Sequence, residues 1–307
     1  MINNIREGIS NPRLILRQIN RGFHTRLGYK DYNSDAANIF ELDWDNLIIL
    51  DACRYDEFSE QISDFDIPGK LKCKQSLDSA TKGVLRASVD GMDLSDMVYL
   101  TATSMLHRES VQESNINPMF HKVIDVWKDN IEYGKGGVPP SSVTDSVLEA
   151  SELYDNKKIV AHYIQPHTPF IGEYGQSQFG EGEHAMWRKK LCGDTTLSDQ
   201  TIQKAYRENL KLVLEEVERL ISNISGKTVI TSDHGQAIGD RAYPIPYKEY
   251  GHPSKMFIDE LIKIPYYECT FDSRREVEKG DKSQNYSEEG QDASHRALEQ
   301  LEGLGYL

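Results

Sequence analysis

Two apolar, β-branched runs that each lead to an acidic residue constrain this chain most. One is Leu47-Ile-Ile-Leu50 before Asp51; the other is Val229-Ile-Thr-Ser232 before Asp233, His234 and Gly235. A strand buried on both faces reads as such a run, and parallel sheets bury both faces. In open α/β sheets, ligands gather beyond the carboxyl ends of the strands. Asp51, Asp233 and His234 are therefore expected to project from two strand tips into one crevice. Two carboxylates and an imidazole held together there suit a divalent metal ion.

The rest of the chain supplies matching elements. Met97–Thr101 and Lys158–Tyr163 read as further strands, and Val123–Trp127 as a weaker one. Helices are expected around Asp56–Ile62, from Pro139-Pro140 towards Leu153, and through Ile202, Tyr206, Leu210, Val213, Val217, Leu220 and Ile221, which recur at three and four. Strand and helix alternate, which predicts an α/β fold with a mostly parallel central sheet and helices on both faces.

Composition narrows the function. The chain has 307 residues, of which 38% are hydrophobic, enough to fill a core. Its formal charge of −14 argues against nucleic acid as a partner, because phosphate contacts need cations. Cys53, Cys73, Cys192 and Cys269 form no CxxC pair and read as reduced thiols. No run is apolar enough for a membrane span, and the start has no uninterrupted apolar core or cleavage site of a secretory signal. A cytoplasmic location is the expectation.

Residues 1–42 read as a basic N-terminal arm. Its first 30 residues hold Arg6, Arg13, Arg17, Arg21, Arg26 and Lys30 against Glu7 alone. Ile5, Ile9, Leu16, Ile19 and Phe23 recur at roughly helical spacing, interrupted by Pro12. Such a segment either docks on the acidic body or contacts an anionic membrane peripherally. A catalytic domain is expected over 43–270, and a charged linker with a short C-terminal helix and tail over 271–307.

Three more polar elements accompany the acidic strand ends. Gln75-Ser-Leu-Asp-Ser79-Ala-Thr81 leads into a helix, whose free N–H groups and dipole favour an alkoxide or a bound anion there. Read alone, Ser79 or Thr81 serves equally as an N-cap. His167 stands in Gln165-Pro-His-Thr-Pro169, a stiff loop after a strand, and His252 stands between Gly251 and Pro253. Either imidazole suits contact with an ester oxygen. His162, inside its strand, reads as a core or supporting residue.

In this order, the motifs resemble the alkaline phosphatase superfamily, in particular its sulfatase-like branch and short prokaryotic proteins with a Leu-Asp-Ala-Cys-Arg-Tyr-Asp start. The resemblance covers about residues 43–270. It implies an alkaline phosphatase-like sandwich with Asp51, Thr81, Asp233 and His234 as metal ligands. Thr81, or Ser79 two residues earlier, matches the nucleophile. His167 matches a contact to the transferred group or leaving oxygen, and His252 a basic substrate- or metal-binding position.

One divalent ion (Mn, Zn, Ca or Mg) is implied, with room for a second; where two-metal relatives use Asp-x-x-x-His, this chain has His162-Tyr-Ile-Gln-Pro-His167. The Cys/Ser-x-Pro/Ala-x-Arg motif that sulfatases oxidise to formylglycine is absent around Ser79–Arg86 and the four cysteines. The implied activity is hydrolysis or transfer of a phosphoric or sulfuric ester through a covalent Thr or Ser intermediate. Its partner would be an anionic ester, free or linked to a glycan or lipid. The alternative is a non-catalytic metal-binding scaffold that kept the fold.

Overall fold

The computed structural model describes residues 11–28, 32–106, 118–132, 137–179, 186–280 and 291–304. The first ten residues of the arm, Lys30, the linker stretch 281–290 and the last three residues lie outside this set.

The helices in chain order are α1 (Pro12–Phe23), α2 (Tyr55–Gln61), α3 (Thr81–Val89), α4 (Pro140–Leu153), α5 (Glu173–Phe179), α6 (Met186–Cys192), α7 (Asp199–Ile221), α8 (Asp259–Ile262) and α9 (Gln291–Gly303). The strands are β1 (Asn46–Leu50), β2 (Gly69–Gln75), β3 (Asp93–Thr101), β4 (Met119–Asp125), β5 (Lys158–Tyr163), β6 (Thr228–Thr231), β7 (Ala237–Arg241), β8 (Lys248–Gly251) and β9 (Lys263–Cys269).

Seven strands form one sheet in the order β2-β9-β6-β1-β5-β3-β4. The five from β6 to β4 are mutually parallel, and β9 and β2 extend the sheet antiparallel. The expected α/β architecture is thus present, with β1 at its centre.

Every residue of β1 is buried. Ile48 and Leu50 pack with Phe58, Val143, Val147, Val213 and Val217 of α2, α4 and α7. Leu47 and Ile49 pack on the other face with Leu85 and Val89 of α3 and Leu301 of α9. Strand side chains alternate in direction, so an unbroken apolar run needs a helical layer on each face.

The sequence reading misses β2, β7, β8 and β9. Strand β2 alternates lysines on an outer edge, a device that blunts unwanted pairing and hides the hydrophobic signal. Strands β7 and β8 form a separate two-stranded sheet. Residues just beyond β9 lie across the amino ends of the sheet. Arg274 pairs with Asp43 and Asp45, the Glu278 carbonyl accepts from Lys157 Nζ at 2.7 Å, and Gly280 N donates to Ser95 O at 3.0 Å. Among the described residues no helix is long and apolar enough to cross a membrane.

Candidate metal centre and nucleophile

The three central strands converge on one point. Parallel pairing sets Ile49 of β1 level with His162 of β5 and with Thr231 of β6. Asp51 lies two residues past Ile49, and His162 two past Val160, so both side chains point to the face that α3 covers. Asp233 follows β6 by two residues. Asp51, His162 and Asp233 each offer a ligand atom, and these atoms lie within 4.8 Å of one another in a fully buried group.

The turns that carry these groups are fixed by the backbone and by distant side chains. Ala52 adopts a left-handed φ of 58°, unusual for a non-glycine residue. It is held there by its N–H to Asp233 Oδ1 at 3.2 Å and by Tyr206 Oη of α7, which donates to its carbonyl at 2.8 Å. Gly235 is required by close packing. A Cβ there would stand 2.1 Å from the Glu260 carbonyl oxygen, so glycine permits close backbone approach.

His162, read from sequence as a core or supporting residue, lies beside the carboxylates of Asp51 and Asp233. Its Nε2 lies 3.8 Å from Asp51 Oδ2, and its Nδ1 is 2.7 Å from the Tyr99 hydroxyl. Burial pushes its pKa down to about 4, so at neutral pH it is an uncharged imidazole with a lone pair to offer. A hydrogen bond to one ring nitrogen that orients the other is the usual support for a metal-binding histidine. The available signal was its place one residue from the end of a strand next to β1.

Thr81 opens α3 and is fully buried. Its Oγ1 lies 3.0 Å from His234 Nε2. His234 Nδ1 lies 2.8 Å from the Gly235 carbonyl, which can only accept, so Nδ1 carries a proton and Nε2 is the ring atom that faces Thr81. His234 Nε2 is also 3.7 Å from Asp51 Oδ1 and 3.4 Å from Asp233 Oδ2. All four residues expected as metal ligands are thus within one cluster, with His162 added.

Ser79 is occupied elsewhere. Its Oγ donates to Pro253 O at 2.7 Å and accepts from Met256 N at 3.0 Å. Buried Asp78 completes this seam by accepting from Ser79 N at 2.6 Å and from Lys255 N at 2.8 Å. Gly83 leaves room for that carboxylate, since a Cβ there would stand 2.1 Å from Asp78 Oδ2. The seam ties the Thr81 turn to the loop that carries His252.

His167 and His252 meet with their Nε2 atoms 2.9 Å apart, and the His252 ring stacks on His234 with centroids 4.6 Å apart. His167 Nδ1 lies 2.7 Å from the Thr168 carbonyl, so it donates, which leaves His167 Nε2 as acceptor and His252 Nε2 as donor. Burial pushes His167 down to about 4 and holds His252 well below the ordinary histidine range. Asn209 of α7, fully buried, positions this loop through Nδ2 bonds to the carbonyls of His167 at 3.1 Å and Pro169 at 3.0 Å.

The cluster fits a divalent cation on its own chemistry. Asp51 and Asp233 are both buried, and burying a carboxylate costs on the order of several kcal/mol unless an opposite charge compensates it. Their close basic neighbours are His162 and His234. Asp233 Oδ2 and His162 Nε2 are buried without a hydrogen-bond partner. Burial raises the Asp233 carboxyl, but His234, His162, Thr81 and the Ala52 amide together hold it below the usual range. A buried group of carboxylate oxygens and imidazole nitrogens is a donor set that suits a divalent ion.

No family model matches the chain, and none of the curated proteins does. Among solved structures it is similar to the C-terminal periplasmic domain of EcEptC from Escherichia coli in complex with Zn. That match has 13% identity, covers 77% of this chain and 75% of that one, and has a TM-score of 0.47. A second is the soluble domain of lipooligosaccharide phosphoethanolamine transferase A from Neisseria meningitidis, at 12% identity, 73% and 75% coverage, and a TM-score of 0.47. A third, from Vibrio parahaemolyticus, is described as a protein in the alkaline phosphatase superfamily, at 12% identity, 84% and 69% coverage, and a TM-score of 0.41. The roles of the side chains rest on their own geometry.

Proposed function

We propose that this chain is a metal-dependent phosphotransferase or phosphohydrolase that works through a covalent ester of Thr81. The observation that carries the reading is the buried Thr81 hydroxyl, 3.0 Å from His234 Nε2 and adjoining the Asp51–His162–Asp233 group. Asp51, His162 and Asp233 would hold the ion, with His234 and Thr81 at its border. When bound, a divalent cation would supply charge neutralisation for the transferred group and acidify a neighbouring hydroxyl.

The protein's own residues account for the remaining steps. His234 Nε2 accepts the Thr81 proton as Oγ1 attacks phosphorus, the P–Oγ1 bond forms, and the bond to the leaving oxygen breaks. His252 Nε2 would hydrogen-bond an oxygen of the transferred or leaving group by turning its proton from His167 Nε2 to that oxygen. Water or an acceptor alcohol then releases the group from Thr81. The dry surroundings strengthen each of these contacts, because the low local dielectric does not screen them. Sulfuric esters fit the same cluster, but the formylglycine route does not, because residues 79–86 lack its motif.

The test is metal stoichiometry and ester turnover in one preparation. Wild-type protein stripped of metal and re-supplied with Mn, Zn, Ca or Mg should bind at least one ion and release p-nitrophenol from a phosphate mono- or diester. Asp233→Asn should lose both. Turnover that persists in metal-free protein would reject the proposal.

A further inference from the structure

Strands β7 and β8 form a sheet of their own, apart from the seven-stranded one, and β8 ends at Gly251, immediately before His252. A two-stranded hairpin is at best marginally stable alone, so the place of His252 is imposed by what packs on the hairpin. Gly251 takes a left-handed φ of 81°, and a Cβ there would meet Trp187 of α6 at 3.2 Å. Tyr250 Oη donates to Asp199 Oδ1 of α7 at 2.9 Å.

Helix α1 of the N-terminal arm supplies the remaining hold. Arg17 Nε donates to Glu249 Oε2 at 3.1 Å, its Nη2 pairs with Oε1, and the same Nη2 donates to Tyr250 O at 2.8 Å. Asn20 exchanges two bonds with Ile245 in the turn between the strands, Nδ2 donating to the carbonyl at 2.9 Å and Oδ1 accepting from the amide at 3.0 Å. His24 Nε2 lies 3.1 Å from the Tyr243 carbonyl. Arg17, Asn20 and His24 are spaced three and four apart and share one helical face, so the register of α1 on the hairpin is fixed at three points.

Of these contacts, the one from Arg17 carries charge. Glu249 is fully buried and also accepts from the Tyr247 hydroxyl and the Tyr250 amide. A buried carboxylate that loses its cation is strongly disfavoured, so β8 would shift to bring it to water. His252 lies three residues further along the chain, with its Nε2 2.9 Å from that of His167 and its ring stacked on His234. We propose that Arg17 is a positioning residue for His252, its fork to Glu249 and the Tyr250 carbonyl setting where that imidazole stands. This rests on the ester chemistry proposed above, and it makes the arm a working part of the site.

Turnover of the p-nitrophenyl phosphate mono- or diester by metal-loaded wild type, Arg17→Ala, His252→Ala and the double variant tests the assignment, with metal content as the check on folding. Arg17→Ala should lower kcat about tenfold to hundredfold, the scale of a misplaced group, with metal content unchanged. In the His252→Ala background the same change should cost less than about twofold, because the two residues act as one unit. Arg17→Lys, which keeps the charge, should recover part of kcat. Glu249→Gln, of the same size, makes the comparison if Arg17→Ala does not fold. Equal losses in both backgrounds, or wild-type kcat in Arg17→Ala, would overturn the role of Arg17. The ring-nitrogen NMR signals of His252 need no turnover: they should shift in Arg17→Ala while those of His162 stay. Unmoved His252 signals would overturn the positioning, whereas shifted signals in a protein that turns over neither ester would keep it and count against the ester reading alone.

Discussion

A single ring nitrogen illustrates how this site is built. His162 Nε2 faces Asp51 because Nδ1 is held by the Tyr99 hydroxyl, and Tyr99 is fixed in the core between Phe40 and Phe120. Tyr99→Phe removes that bond without emptying the core. Metal affinity should fall about 10- to 100-fold, as for other residues that orient a ligand, while the folded state persists. Titration with zinc and a competing chelator reads this directly. Asp51, Asp233 and His234 were legible in the sequence because apolar runs point to them. His162 was not, because a histidine flanked by Ala161 and Tyr163 in a buried strand carries no visible mark until the strand order is known.

Helices and strands set the distances between such groups. The long helix α7 was legible from its apolar spacing, yet its polar positions do the site's work: Tyr206 holds the Ala52 turn and Asn209 the His167 loop. Periodicity reports which face is buried, not which buried residue is polar. The β7–β8 hairpin was hidden for a similar reason, since Lys248, Glu249 and Arg241 break any apolar alternation. Glu249 is nonetheless fully buried, satisfied by an arginine more than 200 positions away in sequence.

The arm that supplies this arginine should respond to pH. Burial lowers the pKa of His24 from its ordinary 6.5, so the docked arm favours the neutral ring. A group with a depressed folded pKa contributes stability that is complete above its unfolded value and is lost as pH falls below it. Docking of α1 should therefore weaken as pH drops through 6.5, seen as faster proteolysis after Arg13, Arg17 or Arg21. His24→Gln should flatten that dependence over the same range. An identical pH response in the variant would place the sensitivity elsewhere.

At the scale of the whole molecule, the sheet order brings β6, β1 and β5 side by side and gathers residues from 51 to 252 at their carboxyl ends. The α/β class followed from the alternation of elements, but the antiparallel extension by β9 and β2 did not. Strand β9 carries Pro265 and two charged residues, and only its pairing between β6 and β2 makes it a strand. The same global arrangement separates the two candidate nucleophiles: Ser79 is committed to the seam with Pro253 and Met256, whereas Thr81 faces the carboxylates and His234. The most direct measurement is ester turnover by metal-loaded wild type, Thr81→Ala and Ser79→Ala, with metal content determined for each. The account predicts that Thr81→Ala abolishes turnover while retaining bound metal, and that Ser79→Ala keeps measurable turnover at reduced stability. Full activity in Thr81→Ala, or loss confined to Ser79→Ala, would contradict it.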